Sequence, residues 1–133
     1  VDRRAACKAI SDGVIVDVGS AITVDIVQWG IHIGGYIMPG LNAYRKMCAD
    51  ISPVLDRVIE PSVNLSALPQ NTSDALSFGA IKSVVLMIKN TSRTKKLYFT
   101  GGDGKFFARF FENAIYDNTL VFKGMQKALE KHI

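Results

Sequence analysis

Two short stretches of the sequence combine an aspartate with glycines at the end of an apolar run. The first is Asp17-Val18-Gly19-Ser20-Ala21, and the second is Gly101-Gly102-Asp103-Gly104, which follows Leu97-Tyr98-Phe99-Thr100. Glycine turns let backbone N–H groups approach a tetrahedral oxyanion, and an aspartate beside such a turn can hold a cation or a cation-bound water. The two stretches together predict phosphate chemistry.

Each stretch also has a purely structural interpretation. Asp17 could cap an amide in a plain hairpin turn, and Asp103 could be the N-cap of a following helix. The first pattern is structural in most chains that contain it alone. Here a second glycine turn follows another strand and opens a helix, which is an arrangement suited to a phosphate or a flat base.

A third stretch, residues 32–40, places Gly34 and Gly35 inside an apolar run. Adjacent glycines weaken a strand, and their usual justification is the close approach of a ligand or of another backbone. His32 could contact a substrate, although a single histidine is more often structural. The glycines therefore mark this segment more strongly than the histidine does.

These stretches need a sheet to position them. β-Branched runs at residues 14–18 and 22–28 are separated by Gly19-Ser20-Ala21, which has hairpin spacing and a glycine whose φ we expect to be positive. A third strand is predicted at residues 31–38, before Pro39-Gly40.

The remaining elements alternate. Apolar residues recur at helical spacing over residues 41–51 and 72–89, and the second helix begins at Thr72-Ser73-Asp74, whose oxygens can cap free N–H groups. An irregular connection spans residues 52–71. The other predicted elements are a helix at 2–10, a strand at 97–100, a helix at 106–113, a strand at 120–122 and a helix at 124–132. This order predicts an α/β fold in which a mixed β-sheet has flanking helices.

Composition limits the function classes. The chain has 133 residues, 48% of them hydrophobic, and a formal net charge of +4, which fits one globular domain and anionic partners without choosing among them. No apolar run approaches the roughly 20 residues of a membrane helix. We therefore expect a cytoplasmic protein with no membrane partner, and we expect Cys7 and Cys48 to be buried thiols. The start at Val1, within a helical pattern, suggests part of a longer polypeptide.

The motifs occur in the order that is found in the type III pantothenate kinases, which this sequence resembles over essentially all 133 residues. The matching motifs are Asp2-Arg3, Asp17-x-Gly19-Ser20-Ala21-x-Thr23-x-Asp25, Gly30-x-His32-x-Gly34-Gly35-x-Ile37-x-Pro39-Gly40, Asn71-Thr72-x-Asp74-Ala75, Thr100-Gly101-Gly102-Asp103 and Leu120-Val121-x-x-Gly124-Met125. The resemblance implies a ribonuclease H-like (actin-like ATPase) half. It covers the C-terminal part of the family, because the N-terminal domain with its Asp-x-Gly-Asn-Thr phosphate loop is absent from this sequence.

The resemblance also implies an activity, which is the ATP-dependent phosphorylation of pantothenate to 4′-phosphopantothenate, the first step of coenzyme A biosynthesis. It implies ATP, Mg²⁺ and a monovalent cation, K⁺ or NH₄⁺, as cofactors, and a homodimer. Because the phosphate-loop half is missing, we expect these 133 residues alone to lack measurable kinase activity.

Site residues follow from the same resemblance. Asp2 matches the general base and Arg3 the group that meets the carboxylate of pantothenate, while Asp17 matches the monovalent-cation ligand. Thr72 matches a pantothenate-binding threonine that the neighbouring subunit supplies, and Gly34 and Gly35 are further substrate-side candidates. The nucleotide-side candidates are Gly19, Ser20, where the family more often has threonine, Gly101, Gly102 and Asp103.

Two alternatives stay open from the residues. One is a regulatory or transcription accessory factor, for which the basic cluster Arg93-Thr94-Lys95-Lys96 with Lys105 and Arg109 could bind nucleic acid, although a solvated face is the simpler interpretation and no recognition-helix motif occurs. The other is a dimerisation module with an inactive site, formed by the two long helices. We expect neither of these two functions, and we expect no nucleic-acid partner.

Overall fold

The structure of the chain is a computed structural model. It describes residues 7–120, 123–124 and 127. The chain divides into two compact units. We name them the sheet unit, Val1–Met38 with Ser92–Ile133, and the helical unit, Pro39–Thr91.

The sheet unit contains five strands in the order β3-β2-β1-β4-β5. The strands are β1 (Gly13–Val18), β2 (Ala21–Gln28), β3 (Ile31–Pro39), β4 (Leu97–Thr100) and β5 (Ala114–Tyr116). Strand β1 is central, antiparallel to β2 and parallel to β4, and β5 continues the sheet parallel to β4. The predicted mixed sheet with flanking helices is confirmed.

A two-residue turn joins β2 to β3. Trp29 and Gly30 both have positive φ, 55° and 73°, which is the type I′ geometry that suits the twist of an antiparallel hairpin. The Trp29 N–H donates to Asp12 Oδ1 at 3.2 Å, and the Gly30 N–H donates to the Ser11 carbonyl at 2.8 Å. These bonds hold the hairpin tip against the segment that precedes β1.

The core of the sheet unit lies on both faces of β1, because side chains alternate along a strand. Val14, Val16 and Val18 occupy one face and are at most 1% exposed, while Ile15 on the other face joins a cluster with Cys7, Val27 and Leu120. The prediction that Cys7 and Cys48 are buried is confirmed.

The helical unit contains α1 (Leu41–Ile51), a 3₁₀ turn (Pro53–Leu55) and most of α2 (Thr72–Ser92). The cap of α2 differs from the predicted one. Asn71 Oδ1 accepts the Asp74 N–H at 2.9 Å, and Asn71 Nδ2 donates back to Asp74 Oδ2 at 2.9 Å, in a reciprocal capping arrangement. The helix also continues three residues beyond Lys89, so its predicted end was too early.

The predicted irregular connection at residues 52–71 is confirmed, with the 3₁₀ turn as its regular part. Hydrogen bonds to α2 hold it in place. The Glu60 N–H donates to Ser77 Oγ at 2.8 Å, and Lys82 Nζ donates to the Leu65 carbonyl at 2.6 Å.

The predictions near the C-terminus were partly wrong. The fifth strand is β5 (Ala114–Tyr116), and Leu120, predicted to start a strand, is helical; residues 121–122 lie outside the described residues. Asp117 explains the difference, because its Oδ1 accepts the Thr119 N–H at 2.9 Å and so favours a helix start at this point. Helix α3 (Gly104–Ala108) begins and ends earlier than predicted.

Two predicted terminal helices fall largely outside the described residues. Of the first, residues 2–6 are not described, Cys7 is helical and residues 8–10 are not, so the predicted end at Ile10 was wrong. Of the last, Gly124 and Lys127 are helical, and residues 125–126 and 128–132 are not described. In the described part of the chain, no helix combines the length and the apolar character that crossing a bilayer requires.

Candidate active site

Asp17 lies near the carboxyl end of the central strand, between two threonines. In the register of the sheet, Asp17 is opposite Thr23 of β2 and opposite Thr100 of β4. Directly opposite residues project from the same face of a sheet, so the carboxylate and the two hydroxyls belong to one row. Thr100 is 3% exposed and Asp17 is half-buried. The row offers the hard oxygen donors that K⁺ or Mg²⁺ prefers.

The glycine turn after β4 contacts this row directly. Gly101 has a φ of 87°, and a Cβ added there would lie 2.5 Å from Asp17 Oδ1 and 2.6 Å from the Val18 carbonyl oxygen. Any side chain at this position would therefore displace Asp17 or the β1 backbone. The Asp103 N–H donates to the Val18 carbonyl at 3.1 Å, so the two predicted glycine turns adjoin each other.

The turn between β1 and β2 consists of Gly19 and Ser20, because Ala21 already belongs to β2. The Gly19 N–H donates to the Ala21 carbonyl at 3.0 Å. The prediction of a positive φ at Gly19 was wrong, since its backbone lies outside the left-handed region. A Cβ at Gly19 would meet one atom within 4 Å, the Ala21 carbonyl oxygen at 3.8 Å, and one at Gly102 would meet none. Both turns therefore leave space beside the backbone.

Asp103 occupies the N-cap position of α3, but its side chain makes no capping hydrogen bond. The structural interpretation of this aspartate as a helix cap is therefore wrong for its carboxylate. The residue is exposed beside Gly102, next to the open surface of the turn.

The paired glycines of β3 have a different environment. A Cβ at Gly35 would collide with the Val24 carbonyl oxygen and would lie 2.6 Å from Asp25 Oδ1. Of the two alternatives that the sequence left open, the close approach of another backbone is the one that this geometry shows. Substrate binding by Gly34 and Gly35 stays a prediction.

Sequence reasoning missed the partner of Asp25. This carboxylate is 2% exposed, and its Oδ1 lies 2.7 Å from Nε2 of His32, whose side chain is 35% exposed. Asp25 is opposite Ile15 in the sheet, one step diagonally from Asp17 on the same face. The strand alternation placed Asp25 at a buried position, and that pattern could have suggested a search for a cationic or imidazole partner.

The residues predicted to act on pantothenate lie only partly within the described residues. Asp2 and Arg3 lie outside the described residues. Thr72 is the exposed first residue of α2, in the helical unit. Within residues 7–120, 123–124 and 127, no group of three or more His, Cys, Asp or Glu residues could hold a metal ion.

Asp117 and Lys123 form an ion pair just after β5. Hydrogen bonds from Lys123 and Thr119 lower the pKa of the Asp117 carboxyl to about 2. The Asp117 N–H donates to the Phe99 carbonyl at 2.8 Å. This hydrogen bond joins the residue of the ion pair to β4, the strand that leads into the glycine turn.

Comparisons with solved structures agree with the fold. A chain from Campylobacter jejuni named as a Baf family transcriptional activator matches with a TM-score of 0.91 and 51% identity, over 98% of this chain and 63% of that one. The ethanolamine utilization protein EutJ from Carboxydothermus hydrogenoformans matches with a TM-score of 0.54 at 17% identity, over 92% and 52%. This second likeness concerns the fold alone.

Comparisons of sequence identify the family. Residues 1–94 match the family model described as type III pantothenate kinase. Proteins of that name from Helicobacter hepaticus and Wolinella succinogenes are 80% and 63% identical over 100% and 98% of this chain. The chain spans 65% and 62% of the length of these two relatives. It belongs to the type III pantothenate kinase family.

Proposed function

We propose that the chain forms the larger part of a kinase that uses ATP to phosphorylate pantothenate to 4′-phosphopantothenate, the first step of coenzyme A biosynthesis. Membership of the type III pantothenate kinase family supports this reaction. The observation that supports the assignment is the close approach of the Gly101 turn to the Asp17 carboxylate, because it brings a carboxylate that could hold a cation next to the open backbone of Gly102.

Phosphoryl transfer asks for charge neutralisation, in-line positioning and a base for the attacking hydroxyl. Asp17 would hold the monovalent cation, K⁺ or NH₄⁺, with the neighbouring Thr23 and Thr100 hydroxyls available as further ligands. That cation and a Mg²⁺ on the nucleotide would neutralise the charge of the transferring phosphate. Gly19 and Ser20 would face the phosphates, and Gly101, Gly102 and Asp103 would face the adenosine.

On the acceptor side, Asp2 would accept the proton of the pantothenate hydroxyl. Arg3 would bind the carboxylate of pantothenate, for which the planar guanidinium is well suited. Gly34 and Gly35 would line the same substrate. Thr72 of the partner subunit would complete the pantothenate site, so the functional unit would be a homodimer.

The helical unit supports the dimer proposal. Several large apolar side chains of α1 and α2 are exposed, namely Met47, Ile51, Leu86 and Met87, at 48%, 75%, 53% and 45%. Exposed apolar side chains on adjacent helices are a common feature of protein interfaces. We further propose that an N-terminal phosphate-loop domain completes the site, that the isolated chain has no turnover, and that the enzyme acts in the cytoplasm.

The test is an assay of the full-length protein with pantothenate, ATP, Mg²⁺ and KCl, in wild type and Asp2→Asn. We expect turnover in the wild type, and in the variant a loss of at least a hundredfold in kcat with ATP affinity nearly unchanged, because the base acts only on the acceptor. An unchanged rate would remove Asp2 from the mechanism.

The alternative role in transcription is tested with the same preparation. The related C. jejuni chain carries an activator name, and Lys95, Lys96, Lys105 and Arg109 are exposed here. Binding to duplex DNA that weakens steeply with salt, together with no calorimetric signal for ATP, would favour that role over the kinase.

A further inference from the structure

Tyr116 lies beside the Gly101 turn and is not among the residues assigned above. It is the last residue of β5, and its hydroxyl donates to the Gly101 carbonyl oxygen at 3.3 Å. Its ring packs on the start of α3, where a Cβ at Gly104 would lie 3.1 Å from the Tyr116 Cε1 atom. The side chain is nevertheless 36% exposed, so part of the ring faces solvent.

Tyr116 lies at the same edge of the sheet as Asp17, but its side chain projects from the other face, because it is opposite Phe99, which is opposite Val16. Strands β1, β4 and β5 are parallel, and Tyr116 is opposite Phe99, one residue before the level of Asp17 and Thr100. Neighbouring strands are about 4.8 Å apart, so the backbone of Tyr116 lies roughly 10 Å from that of Asp17. Ligands of such sheets bind outside the carboxyl ends of the parallel strands, and Asp17, Gly101 and Tyr116 mark three consecutive ends.

The chemical groups of a nucleotide indicate how it would lie along this edge of the sheet. The anionic phosphates of a nucleotide would lie near the cation that Asp17 is proposed to hold, and the open backbone beside Gly102 would accommodate the sugar. The base then extends towards β5. An aromatic side chain with part of its ring exposed is a suitable surface for a purine, because aromatic rings stack favourably.

We infer that Tyr116 is the positioning residue of the nucleobase end of the site, which rests on the proposed kinase function. Its hydroxyl fixes the Gly101 carbonyl and with it the turn that adjoins Asp17. Its ring supplies the wall against which the base of the nucleotide packs.

The experiment uses the full-length protein with Tyr116→Phe, Tyr116→Leu and a control, Ile115→Ala. Ile115 is the neighbouring exposed residue of β5; it projects from the face of Asp17, but it is opposite Tyr98 and so lies two residues before the level of Asp17 and Thr100. Calorimetry gives the Kd of ATP, steady-state kinetics give KM for ATP and for pantothenate, and thermal unfolding reports the fold.

We expect about a tenfold rise in the Kd and KM of ATP for Tyr116→Leu, because one ring–base contact is lost. We expect about a threefold rise for Tyr116→Phe, which loses one hydrogen bond. KM for pantothenate stays within twofold in both, and the control matches the wild type.

Two results would overturn the inference. One is ATP affinity in Tyr116→Leu and Tyr116→Phe equal to that of an ATP-binding wild type. The other is a parallel loss of affinity for ATP and pantothenate together with a lowered Tm in both variants, which marks a purely structural tyrosine. If the wild type itself fails to bind ATP, the proposed function fails, and this inference fails with it; that result is seen without any variant.

Discussion

The Cα of Gly101 is placed so that a side chain on it would meet Oδ1 of Asp17 at 2.5 Å. This relationship links two segments that are 84 residues apart in sequence, since the numbers are 101 and 17. The glycine permits β4 to turn over the end of β1, and the carboxylate fills the space that a Cβ would take. The close approach of β4 to the end of β1 thus depends on the absence of a Cβ atom at Gly101.

Gly101→Ala should therefore disturb both stability and binding. A non-glycine residue at a φ of 87° costs about 1–3 kcal/mol, and the contacts with Asp17 and Val18 add to it. We expect urea unfolding to show a loss of at least about 2 kcal/mol. Gly102→Ala is the matched stability control, because a Cβ there meets nothing within 4 Å. Equal stabilities of the two variants would contradict the close approach.

Asp17→Asn tests the cation site with almost no change in shape. The amide keeps an oxygen but loses the charge, so we expect activation by KCl to disappear and kcat/KM of the full-length enzyme to fall at least a hundredfold. The Tm should stay within about 3 °C. Asp103→Asn is the comparison variant, for which KM for ATP should rise while activation by KCl persists. A normal KCl response in Asp17→Asn would exclude Asp17 as the ligand.

How far the sequence predicts this molecule depends on the range of each interaction. Local patterns were sufficient for the hairpin of β1 and β2, because β-branched runs and a short polar turn specify it. They failed at Leu120, where the Asp117 carboxylate starts a helix inside an apolar run. Strand and helix cannot be separated by hydrophobicity in such short segments.

The predictions for the candidate site also divide into those that local sequence supports and those that depend on contacts between distant segments. The residue types of the turns at Gly19 and Gly101 predicted a phosphate site, and the two turns do adjoin each other, while phosphate binding stays a prediction. The reason for Gly35 and the partner of Asp25 were not predictable from spacing, because both depend on how β3 lies against β2. Such contacts are set by register and packing, which one sequence does not reveal.

The His32–Asp25 pair should stabilise the sheet unit. His32→Ala removes the imidazole from a carboxylate that is 2% exposed, and a hydrogen bond to a charged group contributes about 1.5–3 kcal/mol. A double-mutant cycle with Asp25→Asn should give a coupling free energy of about 1–2 kcal/mol by urea unfolding at pH 7. Gln28→Ala, at the exposed end of β2, is the control. Additive losses in the cycle would show that the two side chains do not interact energetically.

The ion pair of Asp117 with Lys123 gives a prediction for acid stability. Hydrogen bonds from Lys123 and Thr119 lower the Asp117 pKa to about 2, below the value near 3.9 of an unfolded chain. A group whose pKa is lowered by folding stabilises the native state above the unfolded pKa and loses that effect as pH falls towards the folded one. The contribution is therefore full above about pH 4 and disappears between about pH 4 and pH 2.

Asp117→Asn should consequently lower the free energy of unfolding at pH 7 by about 1 kcal/mol, since the Lys123 side chain is 55% exposed and water screens the pair. The difference between variant and wild type should shrink on acidification and vanish near pH 2. Asp50→Asn, an exposed position of α1, is the matched control. Urea unfolding at intervals from pH 7 to pH 2 measures the effect, and a stability difference that does not change with pH would assign it to packing instead of charge.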